Sequence, residues 1–84
     1  MSELLPEIYA RVIELIVGAM PALDPTVLQP ESDLYDHGMD SAAAISLMLA
    51  IEESFSVTFP DYLLDDATFR TPQALGRVVQ SLLS

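Results

Sequence analysis

The sequence contains no cysteine, no lysine and no tryptophan, and it has a single histidine. Without cysteine the chain has no disulfide framework, no thiolate metal site and no thiol nucleophile, so packing alone must hold the fold. Without lysine it has no Walker-type phosphate loop. It also lacks an apolar run long enough to cross a membrane and a basic amino-terminal region typical of a signal peptide, so we expect a cytoplasmic protein.

Positive charge is scarce: three arginines stand against 13 acidic residues, which gives a formal net charge of −10 over 84 residues. Such a charge repels DNA, RNA and anionic lipid, so we expect neither a nucleic-acid partner nor a membrane partner. Residues 31–69 contain nine acids and no base. A basic protein partner is therefore expected to approach that segment first.

Length and hydrophobic periodicity predict one small all-helical domain over residues 1–84. A chain of this size buries enough surface for one core but leaves little room for a deep catalytic cleft. Helical spacing of apolar residues predicts three main helices, over about 4–17, over 41–55 and from Pro72 onwards with Thr71 as N-cap. A short helical turn is predicted within 61–66, which completes a small bundle.

Residues 18–40 are predicted to form a long first loop, because they contain three prolines and two glycines. Gly18 and Pro21 are predicted to end the first helix. Loops of this length in a small domain are usually functional. Four apolar residues are expected to pin the loop to the core: Leu23, Val27, Leu28 and Leu34.

The second helix has more apolar surface than a small bundle needs. Ala42, Ile45 and Leu49 follow helical spacing on a side separate from the predicted core face, and Glu52 and Glu53 are expected at the solvent side. One interpretation is that neighbouring helices bury both stripes. The other is a docking strip, with apolar contacts along its middle and acids around it.

Ser41 opens this helix after Asp40 and a turn at Gly38. A serine in this position is commonly part of an N-cap pair. The position also offers free N–H groups and the positive end of the helix dipole, which favour a phosphate ester on the serine hydroxyl. Spacing alone leaves both interpretations open.

Two enzymatic or metal-binding alternatives fail on residue type. A calcium loop with Gly38 in its sixth position would need ligands at positions that hold Tyr35, His37 and Ala44. A serine hydrolase would need a base for Ser41, and the one histidine lies in the preceding turn without the usual nucleophile-elbow spacing. A metal site could use only carboxylates, so none is predicted.

Three elements of the sequence resemble the acyl and peptidyl carrier proteins. Residues 33–41 read Asp-Leu-Tyr-Asp-His-Gly-Met-Asp-Ser, which is similar to the family pattern D-L-x-x-x-G-x-D-S. The Glu-Glu-Ser-Phe run at 52–55 and the Pro-Asp pair at 60–61 follow at the family's spacing. The resemblance covers essentially the whole chain, and the three elements together are specific where the Asp-Ser pair alone is not.

The resemblance implies that a phosphopantetheinyl transferase moves the 4′-phosphopantetheine arm of coenzyme A onto Ser41, with Asp40 supporting the site. The arm's thiol would hold an acyl or aminoacyl group as a thioester between enzymes, so the chain is expected to be a monomeric carrier and not an enzyme. The start of the second helix would be the partner surface. Its matching positions are Ala42, Ile45, Leu49, Glu52 and Glu53.

Two departures weaken the match to the carriers of fatty-acid synthases. Ala42 stands where the family commonly has leucine, and Ser46 stands where fatty-acid carriers often have glutamate. Residues 47–53 together with residues 59–64 look more like small stand-alone carriers loaded with an amino acid, in which the loading ligases resemble the catalytic core of seryl-tRNA synthetases. The alternatives are an acyl carrier for fatty acids or secondary metabolites, and an unmodified acidic helical adaptor that binds a basic partner.

Overall fold

Four α-helices and three 3₁₀ turns make up the computed structural model, which describes residues 3–84. The predicted all-helical bundle of three long helices and one short helix is confirmed, and the described residues contain no strand. Every helix within residues 3–84 falls short of what a membrane span needs. The helices are α1 (Pro6–Ala19), α2 (Ser41–Phe55), α3 (Asp66–Arg70) and α4 (Pro72–Leu83); the 3₁₀ turns are Pro25–Val27, Leu34–His37 and Asp61–Leu63.

Helix α1 packs against both other long helices through one apolar face. Ile8, Val12 and Ile16 are buried at a spacing of four residues, as the periodicity predicts. The helix begins at Pro6, whose fixed φ and missing N–H suit the first helical position. The prediction that Gly18 ends the helix is wrong: α1 continues through Gly18 to Ala19.

Helix α2 has the predicted bounds. Leu47 and Ile51 are completely buried, while Ala44, Met48 and Phe55 pack against the core from its edge. The helix ends where Ser56 adopts a left-handed conformation, with φ 56°.

The short helical turn predicted within 61–66 is present as the 3₁₀ turn Asp61–Leu63. A short α-helix that the sequence did not predict follows it: α3 begins at Asp66 because the Asp65 carboxylate caps it, accepting a hydrogen bond of 2.9 Å from Thr68 N–H. Phe69 of α3 is buried and stacks on Phe59, with ring centroids 5.7 Å apart. This aromatic pair joins α3 to the segment that follows α2.

Helix α4 confirms the predicted cap. Thr71 Oγ1 accepts a hydrogen bond of 3.0 Å from Ala74 N–H, and Pro72 occupies the first helical position. Leu75 and Val79 are completely buried against the other long helices. Near the end of the helix, the Gln80 side chain makes two hydrogen bonds to the start of the chain. Its Oε1 accepts one of 2.7 Å from Leu5 N–H, and its Nε2 donates one of 2.8 Å to the Glu3 carbonyl oxygen.

The long loop between α1 and α2 is pinned to the core at four buried side chains. Leu23 and Leu34 are buried as predicted, and Leu28 is partly buried. The prediction for Val27 is wrong, because its side chain is 53% exposed. The other two buried anchors are Met20 and Met39.

Gly38 allows the last bend of this loop, because it adopts φ +102°, which side-chain-bearing residues rarely occupy. We expect Gly38→Ala to lower the free energy of unfolding by about 1–2 kcal/mol through backbone strain alone. An added methyl would meet no atom within 4 Å. Urea denaturation of both proteins measures this difference.

Gly18→Ala is the matched control, because a methyl there also meets no atom within 4 Å but the backbone is helical. We expect that variant to be more stable than the wild type by up to about 1 kcal/mol. Equal effects of the two substitutions would contradict the conformational explanation.

Candidate functional site

Ser41 is exposed at the first position of α2, and its hydroxyl makes no hydrogen bond within residues 3–84. Asp40 performs the capping role instead: its carboxylate accepts a hydrogen bond of 2.8 Å from Ala43 N–H. Asp40 alone therefore caps α2, and Ser41 does not share that role. The serine oxygen is left accessible for chemistry.

Hydrogen bonds and buried side chains fix the residues before Ser41. Asp33 caps the 3₁₀ turn Leu34–His37 by accepting a hydrogen bond of 2.9 Å from Tyr35 N–H. Gly38 closes the turn, and the buried Met39 donates its N–H to the Leu34 carbonyl at 3.0 Å. Because Leu34 and Met39 are both buried, the chain enters α2 between two hydrophobic anchors.

A cleft of about 300 Å³ opens beside Ser41, between α2 and the segment that leads into α3. Its walls are mainly apolar, with carboxylates at residues 65 and 66. The lining residues are Tyr35, Ser41, Ala44, Ile45, Met48, Leu64, Asp65, Asp66 and Phe69. The sequence predicted a shallow surface and did not identify Tyr35, Leu64 or Phe69 as neighbours of Ser41.

One wall of this cleft is held by polar contacts across the chain. Tyr35 Oη donates a hydrogen bond of 3.2 Å to an Asp66 carboxylate oxygen. The Arg70 guanidinium lies 5.1 Å from the centre of the Tyr35 ring and donates a hydrogen bond of 3.0 Å to Asp33. We call these four residues the Tyr35 cluster; they tie α3 to the turn before Ser41.

The contacts of the Tyr35 cluster shift the pKa values of Tyr35 and Asp33. Burial, followed by the charge and hydrogen bond of Asp66, raises the pKa of the Tyr35 hydroxyl. Burial alone would raise the pKa of the Asp33 carboxyl, but hydrogen bonds from Arg70 and from Tyr35 N–H, with the Arg70 charge, outweigh it and lower that pKa. The cluster thus favours a neutral Tyr35 phenol and an ionised Asp33 carboxylate.

A second hollow, of about 460 Å³, lies between the end of α1 and the start of α2. His37 and Asp40 line this hollow, whereas Ser41 lines the cleft. No hydrogen bond joins His37 to Ser41 among the described residues. Residues 3–84 contain no cluster of side chains able to hold a metal ion.

The second apolar stripe of α2 is open to solvent. Ala42 is exposed, and Ile45 and Leu49 are 56% and 55% exposed. Neighbouring helices therefore do not bury this stripe. The interpretation in which both apolar stripes of α2 are buried is wrong. A partner role for these residues stays a prediction.

Of the two predicted docking acids, Glu53 is exposed and Glu52 is partly buried. The Glu52 carboxylate reaches around the end of α2 and accepts a hydrogen bond of 2.8 Å from Phe59 N–H. That bond holds the buried Phe59 ring in place. Glu52 therefore has a structural role that helical spacing could not predict, because its partner lies beyond the end of the helix.

Comparisons with known proteins agree with these features. The family described as "Phosphopantetheine attachment site" matches residues 10–79. The chain is 39% identical over 66 residues to an aminoacyl carrier protein of Agrobacterium fabrum, covering 79% of this chain and 78% of the relative. It is 31% identical over 77 residues to aminoacyl carrier protein 1 of Bradyrhizobium diazoefficiens, with 87% and 82% covered.

A third relative comes from Schizosaccharomyces pombe, and its name describes a mitochondrial acyl carrier protein. This relative is 33% identical over 64 residues, which cover 75% of this chain and 57% of the relative. Acyl and aminoacyl carriers are thus both among the proteins to which the chain is similar.

We expect Glu52→Ala to lower the free energy of unfolding by about 1–2 kcal/mol, because the partly buried Phe59 N–H loses its acceptor. Glu53→Ala is the matched control and should stay within about 0.5 kcal/mol of the wild type. Thermal and urea denaturation measure both. Equal losses in the two variants would show that charge, and not the hydrogen bond, is responsible.

Proposed function

This chain belongs to the family of acyl and aminoacyl carrier proteins, and we propose that Ser41 is the residue to which its 4′-phosphopantetheine group is attached. The observation that carries the proposal is the exposed Ser41 hydroxyl, which Asp40 leaves without a capping role. Family membership also means that the chain carries a group and is not an enzyme. The unmodified adaptor considered from the sequence is therefore not supported.

The residues around Ser41 fit such a group. The N–H groups of Ser41 and Ala42 make no hydrogen bond within residues 3–84, so the first turn of α2 offers two donors and the positive end of the helix dipole to a phosphodiester. The cleft beside Ser41 gives the rest of the group a mainly apolar surface to lie against. The group supplies the thiol that this cysteine-free chain lacks.

The chain's own residues present the hydroxyl but do not activate it. Ser41 Oγ would form a bond to the phosphorus nearest the pantetheine of coenzyme A, and adenosine 3′,5′-bisphosphate would leave. No histidine or carboxylate of residues 3–84 is hydrogen-bonded to the Ser41 hydroxyl, so we propose that its proton passes to a base of the transferase. Asp40 and Gly38 position the serine by fixing the start of α2.

The cargo we propose is an amino acid, loaded by a ligase that resembles the catalytic core of seryl-tRNA synthetases. Two relatives named aminoacyl carrier proteins support this proposal, as do the departures at Ala42 and Ser46 from fatty-acid carriers. A carrier for fatty-acid or secondary-metabolite acyl groups is the second candidate, which the acyl carrier relative favours. In either case we propose a cytoplasmic monomer with one domain over residues 1–84.

Partner enzymes are proposed to bind the exposed stripe of α2. Ala42, Ile45 and Leu49 provide its apolar contacts, and Glu53 provides a free acid at its end. Glu52 contributes negative charge from a fixed position, because Phe59 N–H holds its carboxylate. Basic surfaces on the transferase and the ligase are expected to be attracted to this segment.

Incubation with coenzyme A and a broad-range phosphopantetheinyl transferase should add one phosphopantetheine group to the wild type and none to Ser41→Ala. Intact-mass spectrometry measures the addition. Ser46→Ala, which removes another exposed hydroxyl from α2, is the matched control and should be modified like the wild type. Modification of Ser41→Ala would contradict the proposed attachment site.

The modified protein should then gain an amino acid when incubated with ATP and a ligase of the seryl-tRNA-synthetase-like class. The product should lose that amino acid on treatment with hydroxylamine, because thioesters are cleaved under these conditions. Parallel incubations with an acyl-activating enzyme and fatty acids test the second candidate. Acyl loading without any amino-acid loading would contradict the aminoacyl proposal while leaving the carrier role intact.

A further inference from the structure

The connection between α2 and α3 exposes two large apolar side chains. Tyr62 is 78% exposed and Leu64 is 44% exposed, whereas Leu63 between them packs against the core. The 3₁₀ turn Asp61–Leu63 holds Tyr62 outward on a short, hydrogen-bonded frame. A single exposed apolar residue is ordinary on a protein surface. Two of them beside another exposed apolar stripe form a patch that requires an explanation.

This connection adjoins the exposed stripe of α2. Leu64 and Ile45 line the same cleft, and Ser41 lines it with them. Ile45 of α2 and Leu64 of the connection thus line the cleft together. Leu49 is exposed one helical turn after Ile45, and Tyr62 is exposed two residues before Leu64. We call these four residues the two-sided patch.

The border of the two-sided patch is acidic. Asp61, Asp65 and Asp66 are exposed around Tyr62 and Leu64, and residues 41–69 contain no base. The next base, Arg70, donates a hydrogen bond to Asp33 and lies over the Tyr35 ring. Its charge is therefore already paired and does not offset the acids of the border.

We propose that the two-sided patch binds the phosphopantetheinyl transferase, with Tyr62 as an anchor, so that the docking surface extends past α2 onto residues 61–66. The proposal rests on the proposed function. A transferase that reaches Ser41 Oγ must lie against the mouth of the cleft, and Leu64 shares that cleft with Ser41. A partner surface with apolar residues bordered by lysine and arginine fits the patch and its acids.

The negative charge of the chain disfavours a second copy of the chain, or an anionic membrane, as the partner of the two-sided patch. Two copies of a chain with a net charge of −10 repel each other, and so do this chain and an anionic membrane. Tyrosine suits an anchor because it buries a large, rigid area at a low cost in side-chain entropy, and it is enriched among the residues that dominate binding energy. Tyr62 has almost its whole side chain available for burial against a partner.

The test is the steady-state kinetics of the transferase reaction on the unmodified full-length chain, with coenzyme A in excess. We expect Tyr62→Ala to raise KM about 10-fold, which corresponds to ~1.4 kcal/mol, with kcat changed less than about twofold because the reacting atoms are untouched. Asp61→Asn should give a smaller rise in KM and a weaker dependence of KM on salt. Val27→Ala, which shortens an apolar side chain of 53% exposure in the first loop, is the matched control and should leave KM unchanged.

The outcomes separate the inference from the proposed function. A wild type that the transferase modifies, together with a Tyr62→Ala variant whose KM stays within twofold of it, would overturn the inference alone. A wild type that is not modified at all would overturn both. A wild type that sediments as a dimer, with Tyr62→Ala sedimenting as a monomer, would assign the patch to a second copy and also overturn the proposal.

Circular dichroism and thermal denaturation show whether Tyr62→Ala remains folded. If that variant is destabilised, Tyr62→Arg supplies the second measurement. Arginine keeps a long side chain at an exposed position but introduces a charge that would repel a basic surface. We expect Tyr62→Arg to raise KM at least as much as Tyr62→Ala, and an unchanged KM would overturn the proposal.

Discussion

The hydrogen bond from Ala43 N–H to the Asp40 carboxylate is the interaction on which the site depends. It satisfies an otherwise unpaired donor at the start of α2 and thereby sets the first helical residue. Because Asp40 provides the cap, Ser41 is left with an exposed hydroxyl at the positive end of the helix. The turn at Gly38 and the buried anchors Leu34 and Met39 hold Asp40 in the position that this bond requires.

The neighbourhood of Ser41 depends on contacts between distant parts of the chain. The Tyr35 cluster joins the turn before Ser41 to α3, and the stacked rings of Phe59 and Phe69 join α3 to the segment after α2. Glu52 strengthens this arrangement, because its carboxylate holds Phe59 N–H. Together these contacts connect the segments around the cleft beside Ser41. Asp33, Glu52 and Asp66 make these contacts, so they are acids with structural partners within the chain.

The unusual features of the composition agree with a carrier protein. The chain has no cysteine, and its attached group supplies a thiol. A chain of 84 residues leaves little room for a deep catalytic cleft beside its core, and a carrier needs none, because its partners perform the chemistry. Its net charge is concentrated in residues 31–69, the segment that contains Ser41 and both sides of the two-sided patch. A basic enzyme surface would therefore be attracted to the segment that contains the proposed attachment site, Ser41.

The sequence by itself determined the features that depend on neighbours along the chain: the bounds of α2, the Thr71 cap of α4 and the exposed Ser41 next to Asp40. Helical periodicity and capping preferences are local, so these predictions needed no knowledge of packing. Only the tertiary structure decided the position of α3, the exposure of Val27, the bond of Glu52 to Phe59 and the cleft beside Ser41. These features depend on which distant segments of the chain come into contact. Many packings are compatible with the same local pattern, so the local pattern cannot predict them. The contacts of the folded chain determine which packing forms.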